Sequence, residues 1–183
     1  MSERKVAARY AKALIDLSVE QKNLDVILGD MKDFVSTLKH NHQIVTMLKS
    51  PVVKGDNKMA VLNKIFGKTY HKNTMGFFGI IIRKNRASFL LPIAEVFVEQ
   101  YNELNNIMLA SVKTAQPIDQ KLTDEIKQFI SSYTGKTIEL KSTVDPELIG
   151  GMVIQMGDKL FDASIHGKLN KLKHELINTY ISK

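Results

Sequence analysis

The sequence predicts a mainly α-helical protein. We expect an N-terminal bundle of six helices over residues 1–106, followed over residues 107–183 by a small α/β domain with a short mixed sheet and a C-terminal helix. In the first part, apolar residues recur every three or four positions, which is the period of an amphipathic helix. From residue 107 they begin to alternate with polar residues over short stretches, as they do in strands. The change of period places the domain boundary.

Six apolar stripes separated by short breaks account for the bundle. Ser50 and Pro51 end the third stripe, Gly67 ends the fourth, and Asn73 or Thr74 can cap the fifth. The short connections predict that neighbouring helices pack antiparallel. The stripes consist of Val6, Tyr10, Ala13, Leu14 and Leu17; Leu24, Ile27, Leu28, Met31, Phe34, Val35 and Leu38; Ile44, Met47 and Leu48; Met59, Leu62, Ile65 and Phe66; Phe77, Phe78, Ile80, Ile81 and Ile82; and Phe89, Leu90, Ile93, Val96, Phe97, Tyr101 and Leu104.

The C-terminal part alternates between strand and helix patterns. Strands are expected over residues 107–114 and 137–144. Between them, a helix can start at Asp119 or Thr123 and end before Gly135, a C-cap residue. This β-α-β order predicts a small sheet with the helix across one face.

A glycine-rich segment follows, VDPELIGGMVIQMGDKLFDASIHGKLNKLK from Val144 to Lys173. Its adjacent glycines allow a chain reversal or bulge, its Gly-Asp pair predicts a hairpin, and its serine is a good N-cap for a last helix. The residues expected to fix this geometry are Asp145, Gly150, Gly151, Gly157, Asp158, Asp162 and Ser164. The apolar face of the last helix is expected to be Ile165, Leu169, Leu172, Leu176, Ile177 and Tyr180.

The sequence contains no convincing reactive site. It has no cysteine, which excludes disulfides, thiolate nucleophiles and cysteine-bound zinc. Its glycines match neither the phosphate-binding loop nor the dinucleotide-binding pattern. Asp162, Ser164 and His166 are too close in sequence to converge as a triad, and His40 and His42 lack a third metal ligand at a known spacing. We expect no catalytic residue, metal or cofactor.

The charge is positive and uneven. The formal net charge is +7, and residues 1–106 hold 16 Lys and Arg against 10 Asp and Glu, whereas residues 107–183 hold 10 against 9. A basic N-terminal part favours an acidic partner, namely nucleic acid, an anionic membrane surface or an acidic protein. A basic helical nucleic-acid-binding or regulatory module is therefore an alternative. No apolar run is long enough to cross a bilayer, and the start of the chain is expected to be the first helix of the mature fold.

Two stretches give the chain a family resemblance. VAARYAKALIDLSVEQKNLD at residues 6–25 and the glycine-rich segment at residues 144–173 resemble the delta subunit of bacterial F-type ATP synthases, the family of the mitochondrial oligomycin-sensitivity-conferring protein. SPVVKGDNK, IIIRKNR and TAQPI between them are also similar. The sequence departs from the family at Ala163, where glycine is usual, and at His166, where arginine is usual.

The resemblance implies a non-catalytic stator subunit. The N-terminal domain would bind the N-terminal helix of an alpha subunit and the C-terminal domain the end of the b-type peripheral stalk, so that the catalytic head does not rotate with the central shaft. The protein would lie on the cytoplasmic face of the bacterial plasma membrane, attached through the complex. It would be present once per complex and monomeric in isolation, with no nucleic acid partner.

Helix-in-groove binding requires an apolar strip between two helices. The alpha-binding residues expected on this basis are Val6, Tyr10, Leu14, Ile80 and Ile81, on the first and fifth helices. The stalk-binding residues expected on the last helix are Lys168, Lys171, Leu172 and Lys173. Both sets have plainer interpretations, as bundle core and as a solvated charged face, respectively.

Overall fold

The computed structural model describes the backbone of residues 3–181 and the side chains of residues 3–173. Over this part of the chain the fold is mainly α-helical, with eight α-helices and one four-stranded mixed sheet, which confirms the predicted fold class. The chain divides into two compact units, one ending at Leu104 and the other starting at Asn105. Leu176, Ile177 and Tyr180, expected on the apolar face of the last helix, lie outside the described side chains.

The first unit is the helical bundle. Its core contains a cluster of aromatic rings, in which Phe34 lies 5.5 Å from Phe66 and 4.6 Å from Phe78 between ring centroids. Interlocking aromatic rings contribute burial and specific geometry together. The helices are α1 Glu3–Glu20, α2 Leu24–His40, α3 His42–Lys49, α4 Gly55–Phe66, α5 Lys72–Arg83 and α6 Leu90–Leu104, with a 3₁₀ turn at Ala87–Phe89.

The buried face of α1 differs from the predicted stripe. Of that stripe only Leu14 is fully buried, while Leu17 is exposed. The buried face instead includes Ala7 and Ala11, and α1 packs mainly against α6. Small side chains let two helices approach closely, but a pattern based on large apolar residues gives them little weight.

The start of α5 is capped differently from the prediction. The N-cap is His71, whose Nδ1 accepts a hydrogen bond from the Asn73 N–H at 3.3 Å. Asp30 on α2 accepts bonds from the His71 N–H at 2.9 Å and the Thr74 hydroxyl at 2.6 Å. The helix start is therefore satisfied by a neighbouring helix, and neither Asn73 nor Thr74 is the cap.

The second unit is the small α/β domain. Its strands run in the order β2-β1-β3-β4, with β1 parallel to β2 and the other neighbours antiparallel. The central helix is capped by Asp119, which accepts from the Leu122 N–H at 2.8 Å, and ends at Gly135 with φ 67°. The elements are β1 Ile107–Thr114, α7 Gln120–Thr134, β2 Thr137–Val144, β3 Met152–Met156, β4 Lys159–Asp162 and α8 Ile165–Ile181, with a 3₁₀ turn at Pro146–Leu148.

The strand register gives this unit its own core. Alternate residues of β1 point inward, so that Ala110 and Val112 are buried while Leu109 is exposed. They pack with Ile126 and Ile130 of α7. The complete buried cluster is Ala110, Val112, Ile126, Ile130, Ile138, Ile154 and Met156.

Candidate partner-binding surfaces

Two polar bridges hold α1 and α5 side by side. The Arg86 guanidinium donates to the Tyr10 hydroxyl and lies 5.6 Å from the centroid of that ring. At the other end, the Asn73 amide donates to the Gln21 side chain. Because Tyr10 is early in α1 and Arg86 follows α5, whereas Gln21 follows α1 and Asn73 is early in α5, the two helices run antiparallel.

The predicted alpha-binding residues occupy different depths in this region. Ile80 is exposed, and Val6 and Tyr10 are half-buried. Leu14 and Ile81 are fully buried in the bundle core. A partner docked on the surface does not reach Leu14 or Ile81 without opening the bundle, so the structure corrects the expectation for these two residues.

Helical geometry adds two residues that the sequence interpretation did not select for binding the alpha subunit. Leu17 lies seven positions after Tyr10 and Phe77 lies four after Asn73, so each shares the face of its helix that carries a bridge. Leu17 is 39% exposed and Phe77 is half-buried. Ile80, seven positions after Asn73, is on the same face of α5. The groove strip, as we name it, is Tyr10, Leu17, Phe77 and Ile80.

The described part of α8 carries the second candidate surface. Ile165, Leu169 and Leu172 are spaced for one helix face, and all three are exposed. The predicted stalk-binding lysines are exposed too; these are Lys168, Lys171 and Lys173. The helix therefore presents an apolar strip beside positive charge.

A compact set of hydrogen bonds fixes the start of α8. The Asp162 carboxylate accepts from the Ser164 N–H at 2.9 Å and from its hydroxyl at 2.6 Å. The Ser164 oxygen in turn accepts from the Gly167 N–H at 2.9 Å, as an N-cap does. The bonds from Ser164 hold the pKa of Asp162 below its usual value. These bonds give Asp162 and Ser164 a structural role.

The glycines of the same segment allow close packing of backbone. Gly151 has φ 77°, and a Cβ there would lie 2.4 Å from the carbonyl oxygen of Ala163. A Cβ at Gly150 would lie 2.7 Å from the Ile165 side chain. Gly157 and Asp158 form the turn between β3 and β4.

Asp145 caps the 3₁₀ turn that precedes the two adjacent glycines. Its carboxylate accepts from the Glu147 N–H at 3.2 Å and lies 4.0 Å from the Lys113 ammonium. The residues of this segment thus join β2, β3 and α8. Within the described residues, no group of three His, Cys, Asp or Glu side chains is placed to hold a metal ion. None of the described helices has the length and apolar character needed to cross a bilayer.

Comparison with known proteins identifies the family. The model of the ATP synthase delta (OSCP) subunit family matches residues 6–176. The chain belongs to this family. Its relatives include proteins named ATP synthase subunit delta from Cytophaga hutchinsonii, 37% identical over all of both chains, and from Christiangramia forsetii, 35% identical over all of both chains.

A solved structure shares the fold of this chain. A chain in the cryo-EM structure of the Toxoplasma gondii mitochondrial ATP synthase hexamer aligns with a TM-score of 0.68 at 17% identity, covering 93% of this chain and 97% of that one. Delta (OSCP) subunits are structural stalk subunits and not enzymes.

Proposed function

We propose that this chain is the stator link of an F-type ATP synthase, on the cytoplasmic face of a bacterial plasma membrane. Residues 1–106 bind the N-terminal helix of an alpha subunit, and residues 107–183 bind the end of the b-type stalk. The proposal is supported chiefly by one observation: two separately packed units each carry exposed apolar side chains on a helix surface, on a chain that belongs to the delta family. The chain acts as one copy per complex and is monomeric alone.

The groove strip suits an amphipathic helix. Its members lie on two helices that are bridged near both ends, so these helices are held together before a partner arrives. Helix-in-groove binding uses an apolar strip shared by two helices, and a preorganised surface lowers the ordering cost of association. The alpha subunit helix would place its apolar face on Leu17 and Ile80.

The test is a titration with a peptide of the alpha subunit's N-terminal helix. Leu17→Asp and Ile80→Asp are each expected to weaken binding by about tenfold or more, because they place a charge in a desolvated contact. Val61→Asp on α4 is the matched control, since Val61 is exposed to the same 39% as Leu17. Equal loss in all three variants, or in none, would show that the groove is misplaced.

The α8 strip suits an acidic, amphipathic stalk end. Between Ile165 and Lys173 the sequence has three lysines and no carboxylate. Lysines at the rim accelerate encounter with an acidic partner, whereas buried apolar contact slows dissociation. A link that carries torque depends on slow dissociation, so Leu172 is expected to contribute more to residence time than Lys171.

Kinetic measurements with a soluble stalk fragment can separate these contributions. Leu172→Asp should raise the dissociation rate by about tenfold or more, while Lys171→Ala should mainly lower the association rate and its salt dependence. If Lys171→Ala alone abolished binding at high salt, the apolar strip would not be the main contact.

A further inference from the structure

Ile149 has an unusual backbone conformation. Its φ is 63° and its ψ is −39°, and the Gly150 N–H donates to the Leu148 carbonyl at 2.6 Å. This hydrogen bond makes Ile149 the central residue of a γ-turn with positive φ, a rare and strained type. Side chains branched at Cβ are the least compatible with positive φ. Something must therefore favour isoleucine here over glycine or asparagine.

Packing within the chain does not explain the choice. Ile149 is 64% exposed, the same fraction as Leu160 on β4. Among the described residues, the other non-glycine positions with positive φ are Lys22, Asn85 and Asn106, which are polar residues. An exposed, β-branched apolar side chain on a strained turn gains little from its own fold, and a strained residue is a pointer to function.

The turn is fixed to the start of α8. The Gly150 carbonyl accepts from the Ile165 N–H at 3.0 Å, and the Ile165 side chain covers Gly150. Ile149 is therefore the neighbour in sequence of the residue that contacts the first member of the α8 strip. Exposed apolar residues continue from it along the helix; they are Ile165, Leu169 and Leu172.

We propose that Ile149 is an anchor residue for the stalk helix. The γ-turn keeps its side chain exposed, where it extends the apolar strip of α8. This inference rests on the proposed function. The occupant is an amphipathic helix with an apolar face and acidic flanks, because Lys168, Lys171 and Lys173 line the strip. The fixed turn presents the side chain in advance, so little conformational freedom is lost on binding.

The experiment measures binding of a soluble b-type stalk fragment to full-length variants of this chain. Ile149→Asn keeps a residue that tolerates positive φ but removes the apolar group. It should raise the Kd by about tenfold or more, with a melting temperature equal to or above that of the wild type. Ile149→Val should bind nearly as the wild type does. Leu160→Asn is the matched control and should leave the Kd unchanged.

The outcomes separate the inference from the proposed function. If the wild type does not bind the stalk fragment, both are overturned. If the wild type binds and Leu172→Asp does not, but Ile149→Asn binds with unchanged Kd, the anchor role is wrong and the stator function stands. If Ile149→Asn lowers the melting temperature, the side chain is structural and the inference is also wrong. A wild-type dimer that Ile149→Asn dissociates would show that a second copy is the occupant, again overturning it.

Discussion

At the scale of single residues, the glycine-rich segment joins elements by close approach rather than by holding a ligand. Gly151 combines positive φ with a backbone carbonyl where its Cβ would be, whereas Gly135 has positive φ and no atom within 4 Å of that point. Substituting alanine at Gly135 should therefore measure the free-energy cost of positive φ alone, whereas at Gly151 it should measure that cost plus the cost of a steric clash.

Gly151→Ala should destabilise the second unit by about 3 kcal/mol or more, because the cost of positive φ adds to that of a clash with a backbone carbonyl. Gly135→Ala, the matched control, should cost only about 1–2 kcal/mol, which is the conformational part. Urea unfolding of both variants measures the difference. Equal free energies of unfolding would mean that the Ala163 carbonyl moves aside without cost.

The hydrogen bonds that Asp162 accepts make the stability of the fold depend on pH in a defined direction. The pKa of Asp162 is lowered in the folded state. Its contribution to the free energy of unfolding is therefore fully present above its unfolded-state pKa of about 3.9, and it is lost as the pH falls through its folded-state pKa. Asp162→Asn should therefore differ from the wild type at pH 7 and approach it below about pH 4. Urea unfolding across this range is the measurement.

Asp158→Asn, in the nearby hairpin turn, is the control for the Asp162 variant, because the bonds to Ser164 come from Asp162. A constant difference between wild type and Asp162→Asn at all pH values would contradict the assigned cause.

The sequence predicted individual elements well where the signals are local. Asp119 and Gly135 cap α7 as expected, because each acts on backbone within four residues. The contribution of Asp30 to the start of α5 could not be predicted, because Asp30 is 41 residues from His71. The buried face of α1 was predicted incorrectly because its packing depends on Ala7 and Ala11 rather than on large side chains.

The candidate surfaces were predictable only in part, for a related reason. Apolar periodicity does not distinguish a core stripe from a partner stripe, so Leu14 and Ile81 were selected although both are buried. The lysines of α8 are exposed, as expected of long charged side chains, and their role in binding the stalk stays a prediction. Nothing in the sequence indicated that Ile149 has positive φ, because this conformation arises from the turn in which Ile149 lies.

Removing the Asp30 carboxylate should test how far the start of α5 depends on α2 for its stability. Asp30→Ala leaves two donors without an acceptor, the part-buried His71 N–H and the buried Thr74 hydroxyl, and should cost about 2–4 kcal/mol. Asp16→Ala, an exposed carboxylate on α1, should change stability by less than about 0.5 kcal/mol. Equal effects in urea unfolding would mean that Asp30 does not stabilise α5.

At the scale of the whole molecule, two cores are built from different residues. The bundle core is formed within the residues up to Leu104, and the core of the α/β unit starts at Ala110. A stator link gains from this division, because each unit can be shaped for a different partner.

The units should therefore unfold separately. Gly151→Val should accelerate amide hydrogen exchange throughout β3 and the start of α8 while exchange in α1 and α6 stays slow, as expected when local stability follows cooperative units. Mass spectrometry of the exchanged full-length chain gives the comparison. Faster exchange in both units to the same extent would contradict independent folding.

We propose that a single copy of this chain holds two different partners at once. The most direct measurement is sedimentation of the full-length chain with the alpha N-terminal peptide and the soluble stalk fragment together. We expect a ternary complex with one chain, in which the Kd for either partner is unchanged by the other. Competition between the two partners for the chain would contradict the claim.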